Sequence, residues 1–173
     1  CILNMCGIVG ISHYNDKNYR ETLLRASGTL NHRGPDSSGI WWSENNKIGF
    51  AHRRLSIIDL SSNANQPMFD KRNSIVIIFN GEIYNFQFLK EILLEKGYSF
   101  SNKSDTEVII NAYIEWGKDC PKYFKGAFAF AIYDKRKNKI FIARDRAGEK
   151  PLYYYHGNNF IFASEINALR VLN

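Results

Sequence analysis

Apolar and polar residues along this chain switch between two periods, and the switch points mark its elements. Residues 8–12 form a short apolar run, which predicts a buried strand. Over 19–30 the spacing becomes helical, with Leu23, Leu24, Ser27 and Leu30 on one side. Residues 39–42 and 47–52 predict two strands around a Glu44-Asn45-Asn46 turn. The β-branched stretch 74–79 predicts another strand ending at Asn80-Gly81, a pair that often closes strands. Amphipathic helices follow over 85–96, closed by Gly97, and over 105–116, closed by Gly117. Ser104 suits the N-cap of the second, with Glu107 at the third helical position. Strands are then expected at 127–133, 139–144, 152–155 and 160–163, and a short helix at 165–171. Strand clusters with helices between them, without regular βαβ alternation, predict sheets packed together under helices.

The length of 173 residues suits one domain with a real core. No apolar run is long enough to span a membrane, and no signal-peptide pattern is present, so a cytoplasmic protein without membrane contacts is expected. Cys1, Cys6 and Cys120 are odd in number and widely spaced, with no CxxC pair. Neither a disulfide framework nor a metal site is implied, and reduced thiols fit. The net charge of +6 comes from scattered lysines and arginines. The densest group, Lys135-Arg136-Lys137-Asn138-Lys139, lies between two apolar runs and reads as a solvated turn, so no nucleic-acid partner is expected.

Cys6 changes the picture, because it directly follows Met5 in Met5-Cys6-Gly7-Ile8-Val9-Gly10. If Met5 is an initiator that is trimmed, the thiol and a free α-amine share one residue. The thiol has an ordinary pKa of about 8.5 and the α-amine of about 7.7–8.0. Such a residue carries its own nucleophile and general base. Taken alone, Cys6 reads better as a small apolar residue at the start of a buried strand.

The rest of the chain decides between these readings. In order come His32-Arg33-Gly34-Pro35-Asp36, Ala51-His52-Arg53-Arg54-Leu55-Ser56-Ile57-Ile58-Asp59, Gln66-Pro67 and Asn80-Gly81-Glu82-Ile83-Tyr84-Asn85. Then come Ser104-Asp105-Thr106-Glu107, Gly126-Ala127-Phe128-Ala129-Phe130-Ala131, Ala143-Arg144-Asp145-Arg146-Ala147-Gly148 and Ala163-Ser164-Glu165. With the Cys6 block, this series resembles the glutaminase domain of class II (N-terminal-nucleophile) glutamine amidotransferases, most closely the asparagine synthetase branch. The resemblance runs from residue 6 to about 170. It implies an α+β fold, a four-layer αββα sandwich of two antiparallel sheets covered by helices. It also implies an enzyme that hydrolyses L-glutamine to glutamate and ammonia.

The roles it implies are specific. Cys6 attacks the side-chain amide carbon and forms a thioester, with its own α-amine moving the proton. Asn80 and Gly81 match an oxyanion hole, which needs neutral donors aimed at the developing negative oxygen. Arg54 matches the guanidinium that grips the substrate α-carboxylate, and Asp105 the acid that pairs with its α-ammonium. Ser104-Asp105 at a helix start is also ordinary capping chemistry, and the two uses are compatible. Arg53 points away from Arg54 if the segment is extended. Glu82 and the backbone of Ile57 and Ile58 add substrate contacts. Arg33 and Asp36 order the loop beside the cysteine, and His32 and His52 carry no chemistry. Tyr153-Tyr154-Tyr155 reads as strand packing.

The chain departs from the family pattern in two places: residues 1–5 precede the nucleophile, and the 173 residues hold no synthetase region or nucleotide-binding loop. Residues 1–5 are an upstream extension or scar, a short propeptide, or a segment that stays attached. In the last case the Cys6 nitrogen is an amide and cannot act as a base. The alternative reading is then a catalytically silent domain that binds glutamine or packs on a partner. Residues 6–173 are expected to be the glutaminase domain of a longer synthetase. The resemblance implies no cofactor in this domain. ATP and Mg²⁺ are expected in a synthetase domain that activates the acceptor, aspartate or a sugar acid, and takes up the ammonia. A homodimer is compatible with these features.

Overall fold

The computed structural model describes residues 5–15, 17–55 and 65–173. In chain order its elements are β1 (Gly7–His13), α1 (Arg20–Gly28), β2 (Ser37–Trp42), β3 (Ile48–Arg54), β4 (Met68–Phe69), β5 (Ile75–Ile83) and α2 (Phe86–Glu95). They continue as α3 (Asp105–Trp116), β6 (Gly126–Asp134), β7 (Lys139–Arg144), β8 (Tyr153–His156), β9 (Asn159–Ala163) and α4 (Ile166–Leu172). A 3₁₀ segment, Gly117–Tyr123, follows α3. The chain divides into two compact units, Cys1–Ile58 with Pro151–Asn173, and Asp59–Lys150. Among the described residues each contains one antiparallel sheet and two α-helices, so the class is α+β as expected. Among the described residues, no helix is long and apolar enough to cross a membrane.

The first unit holds a five-stranded sheet in the order β2-β3-β1-β9-β8. β1 sits at its centre, with Gly7 opposite Arg53 on one side and Val9 opposite Ala163 on the other. One sheet face turns Val9, Ile11, Ala51, Ile161 and Ala163 toward Leu23, Ala26 and Leu30 of the α1 region and Ala168 and Leu172 of α4. The buried stripe of α1 and the turn after it is Leu23, Ala26, Ser27 and Leu30. This is the i, i+3, i+4, i+7 pattern of a helix face. Leu24, expected on that stripe, is 53% exposed instead, because the next residue lies about 100° round the helix. On the other sheet face Phe50 and Phe162 meet edge to face, 5.5 Å apart. Gly10 makes room for them, since a Cβ there would lie 2.3 Å from the Phe162 ring. Tyr153, Tyr154 and Tyr155 do form a strand, but they are exposed rather than packed. β8 is an edge strand with only β9 beside it.

The second unit holds a four-stranded sheet in the order β4-β5-β6-β7. Ile75, Ile77, Phe79 and Ile83 of β5, with Phe128, Phe130 and Ile132 of β6, pack on Leu89 and Leu93 of α2 and Val108, Ile109 and Ala112 of α3. Truncating a fully buried leucine such as Leu93 to Ala costs about 2–5 kcal/mol. The expected strand end at Asn80-Gly81 is a correction. β5 runs on to Ile83, and its pairing with β6 continues through Gly81 opposite Phe128 to Ile83 opposite Gly126. Nine-residue β6 offers a partner along this whole length, so the pair sits inside the strand and not in a turn.

The helix ends follow their expected chemistry closely. Gly97 adopts φ +87 after α2. Its N–H donates to Leu94 O, and that of Tyr98 to Leu93 O, which is a Schellman closure. Ser104 caps α3 by accepting the Glu107 N–H. Glu107 does not return the bond to Ser104; its carboxylate accepts the N–H groups of Ser101 and Asn102 instead. The Ala143-to-Gly148 motif is structural. Asp145 accepts the N–H groups of Phe128, Glu149 and Lys150, and although burial works against it, these bonds hold its carboxyl below its ordinary pKa. β4 and the 3₁₀ segment escaped the sequence reading, being too short or too irregular to carry a period.

Candidate active site

The candidate residues fall into two groups, one in each unit. Cys6 stands immediately before β1, half-buried. Its Sγ accepts the Leu55 backbone N–H at 3.4 Å, just past the end of β3. Burial pushes the thiol pKa up, and the Leu55 N–H, the Arg54 charge and the Arg33 charge pull it back. Arg54 ends β3 and is 9% exposed. Arg53, its neighbour, turns to the other face, where Nε donates to Ser27 and Nη1 to Asn31. The strand alternation expected for this pair holds, and of the two only Arg54 acts on the thiol.

The His32-to-Asp36 loop meets Cys6 from the other side. Arg33 Nε donates to the Cys6 carbonyl at 3.2 Å, and Nη1 donates to Glu165 Oε1 at 3.0 Å. Its Nη2 is buried without a hydrogen-bond partner among the described residues. His32 Nε2 lies 2.9 Å from the same Glu165 oxygen. The Asp36 N–H donates to Arg54 O, which joins this loop to the end of β3. Gly34 permits the approach, since a Cβ would lie 2.5 Å from the Arg53 backbone.

The second group lines the free edge of β5. Alternate N–H groups of a strand point to opposite edges. Those of Phe79, Gly81 and Ile83 face away from β6, beyond the reach of two-residue β4. Gln66 Oε1 accepts the Phe79 N–H at 2.6 Å, and Asp105 Oδ2 accepts the Ile83 N–H at 3.0 Å. The Gly81 N–H between them has no partner among the described residues. Gly81 has φ +146, and a Cβ would lie 2.2 Å from Ala127 O, so no other residue fits. Asn80 is 2% exposed, and its Nδ2 is buried with no partner among the described residues. Burial with the nearby Glu82 charge raises the Asp105 carboxyl to about 6, against the pull of the Ile83 bond. Glu82 itself is exposed.

Ile57 and Ile58 lie outside the described residues. Among the described residues no cluster of His, Cys, Asp and Glu could hold a metal. The sequence reading missed Leu55, whose contribution is a backbone N–H and leaves no side-chain signal. Gln66 and Glu165 stand within motifs, but their partners Phe79 and Arg33 are distant in sequence and no local pattern points to them.

The sequence profile of the glutamine amidotransferase domain matches residues 5–173. The chain belongs to the glutamine amidotransferase family. The domain is 41% identical over 170 residues to asparagine synthetase [glutamine-hydrolyzing] 3 of Bacillus subtilis, covering 95% of this chain and 27% of that protein. It is 42% identical over 182 residues to a putative asparagine synthetase of the same description from Methanocaldococcus jannaschii, covering 95% of this chain and 35% of that protein. With asparagine synthetase B of Escherichia coli the identity is 40% over 170 residues, covering 95% and 30%. The amidotransferase domain thus spans about a quarter to a third of the length of these relatives. Its fold is that of glutamine phosphoribosylpyrophosphate amidotransferase from B. subtilis, with a TM-score of 0.79 at 23% identity over 96% of this chain and 43% of that one.

Proposed function

We propose that this domain hydrolyses L-glutamine to glutamate and ammonia, and that the ammonia serves an ATP-dependent synthetase domain in the whole protein. One observation carries the reading. Two adjacent donors, Asn80 Nδ2 and the Gly81 N–H, are held without partners among the described residues, although an unpaired buried donor costs about 1–3 kcal/mol. A site that keeps such donors open is built for an oxygen that gains negative charge.

The steps follow from the residues. Cys6 Sγ attacks the amide carbon of the glutamine side chain while the thiol proton passes to the Cys6 α-amine. Asn80 and Gly81 hold the resulting oxyanion. The amine returns its proton to the departing ammonia and leaves a thioester. Water, deprotonated by the same amine, then releases glutamate and restores the thiol. Arg54 takes the substrate α-carboxylate and Asp105 its α-ammonium, which selects a free amino acid over a peptide amide. None of these steps uses a cofactor. ATP and Mg²⁺ belong to the synthetase reaction, for which asparagine formation is the reading the relatives support.

The base is available only if Cys6 is the first residue, so the mechanism requires removal of residues 1–5. The test compares glutamate release by the full chain, a form beginning at Cys6, and Cys6→Ala in that form. Activity confined to the Cys6-initiated form and lost in Cys6→Ala is expected. Full activity in Cys6→Ala sinks the reading.

A further inference from the structure

We propose that Glu165 is a positioning residue for the nucleophile: through Arg33 it anchors the carbonyl of Cys6. This rests on the reading of Cys6 given above, and it gives the Ala163-Ser164-Glu165 motif a purpose.

The need for an anchor is physical. Terminal residues fray unless something ties them down. Once residues 1–5 are gone, Cys6 is held by the chain on one side only, and regular pairing of β1 begins at Gly7. With the α-amine committed to proton transfer, the groups of Cys6 that can be held throughout are its thiol and its carbonyl. Leu55 N–H takes the first and Arg33 Nε the second. Arg33 is a long side chain, so its grip is only as firm as whatever fixes the guanidinium. Glu165 does this at 3.0 Å, and His32 shares the same carboxylate oxygen.

At the start of α4 the Glu165 carboxylate turns to Arg33 and His32. Helix N-caps normally spend a side-chain oxygen on their own helix. Glu165 occupies the N-cap of α4 and makes no such bond. Ser164 just before it is fully buried, and it too turns away from the helix. Its Oγ accepts the Ile8 N–H at 3.0 Å, and its own N–H donates to Ile8 O. Two successive side chains thus face the start of the chain, Ser164 on Ile8 of β1 and Glu165 on Arg33, which holds the Cys6 carbonyl. The Glu165 carboxylate stays ionised, because the Arg33 and His32 contacts outweigh its partial burial and hold its pKa below the ordinary value.

The test compares Glu165→Ala, which releases Arg33, with Glu165→Gln, which keeps an acceptor for it. Turnover is measured on the Cys6-initiated form. On the full chain, iodoacetamide labelling of Cys6 is followed against pH and located by peptide mass. Glu165→Ala is expected to lower kcat about 10–100-fold while KM stays within about threefold, the mark of a misplaced reacting group. Cys6 should label more slowly than in the wild type at pH 8, its labelling profile displaced to higher pH. Glu165→Gln should recover most of both. If Glu165→Ala does not fold, Arg33→Lys, which keeps the charge but not the two-pronged reach, should show the same kcat loss while its labelling profile stays near the wild-type one. A Glu165→Ala protein with a lowered melting temperature but wild-type kcat and labelling profile overturns the proposal. So do equal losses in the Ala and Gln variants. Should Cys6→Ala retain turnover, the nucleophile assignment fails by itself, while the labelling profile still reports on the anchor.

Discussion

Asp105 Oδ2 accepts the backbone N–H of Ile83 at 3.0 Å, which ties the first residue of α3 to the last residue of β5. The bond spans 22 residues of sequence and fixes the strand segment that carries Asn80 and Gly81. It also places a carboxyl where burial and Glu82 raise its pKa to about 6.

That elevation has two consequences with definite signs. The folded carboxyl titrates above its unfolded value of about 3.9. Between about pH 4 and 6 the native state therefore binds more protons than the unfolded one, and stability falls as pH rises through this window. Asp105→Asn should remove this loss and make the ligand-free domain about 2 kcal/mol more stable at pH 7, with little change at pH 4. Urea unfolding at the two pH values checks it. If Asp105 receives an ammonium, glutamine binding to Cys6→Ala should weaken about tenfold from pH 7 to pH 5, as the carboxylate is protonated. Calorimetry should show that dependence vanish in the double variant with Asp105→Asn.

Asn80 should separate activity from stability. If Asn80 donates to the oxyanion, Asn80→Ala should cut kcat about 10²–10³-fold. Because the donor it deletes is buried and unpaired, the melting temperature should not fall. Loss of activity together with a large drop in melting temperature would make Asn80 a structural residue.

Gly81 should behave in the opposite way. Gly81→Ala puts a Cβ 2.2 Å from Ala127 O at a backbone angle of φ +146. The β5–β6 pairing must then part, at a cost of about 1–3 kcal/mol or more. Gly97, at φ +87 with nothing near its missing Cβ, is the control, and its change to Ala should cost only about 1 kcal/mol. Denaturant midpoints of the two variants decide it.

Arg54→Lys keeps a positive charge beside Cys6 but loses the planar fork. Hydrogen bonds to charged groups are worth about 1.5–3 kcal/mol, so KM for glutamine should rise about 10–100-fold with a smaller change in kcat. The thiol labelling profile should stay near the wild-type one. A variant with unchanged KM removes Arg54 from substrate binding.

Where local chemistry decides structure, the residues could be read directly. Gly97 and Gly117 end their helices because they reach positive φ, and Ser104 caps α3 because its hydroxyl meets an orphan N–H. The Leu23, Ser27 and Leu30 spacing placed α1, and only Leu24 was assigned to the wrong side, one residue off the stripe. The opposite directions of Arg53 and Arg54 follow from strand alternation alone. Cys6, Arg54, Asn80, Gly81 and Asp105 were all visible as motif members.

Partnership lies beyond local chemistry. Asn80-Gly81 is a turn by every local rule, yet β6 runs alongside and keeps it in the strand. Glu107 was a sound capping-box partner until Ser101 and Asn102 offered it two other N–H groups. The thiol contact of Leu55 and the open N–H of Gly81 are backbone properties that no side chain announces. The reach of Glu165 to Arg33 crosses 132 residues. By itself, then, the sequence determined most of the elements and the family, since both depend on residue types and short spacings. Which donors are satisfied, which are left open, and which carboxyl titrates near 6 were decided only when distant strands and helix ends met, because hydrogen-bond satisfaction and burial are properties of neighbours in space.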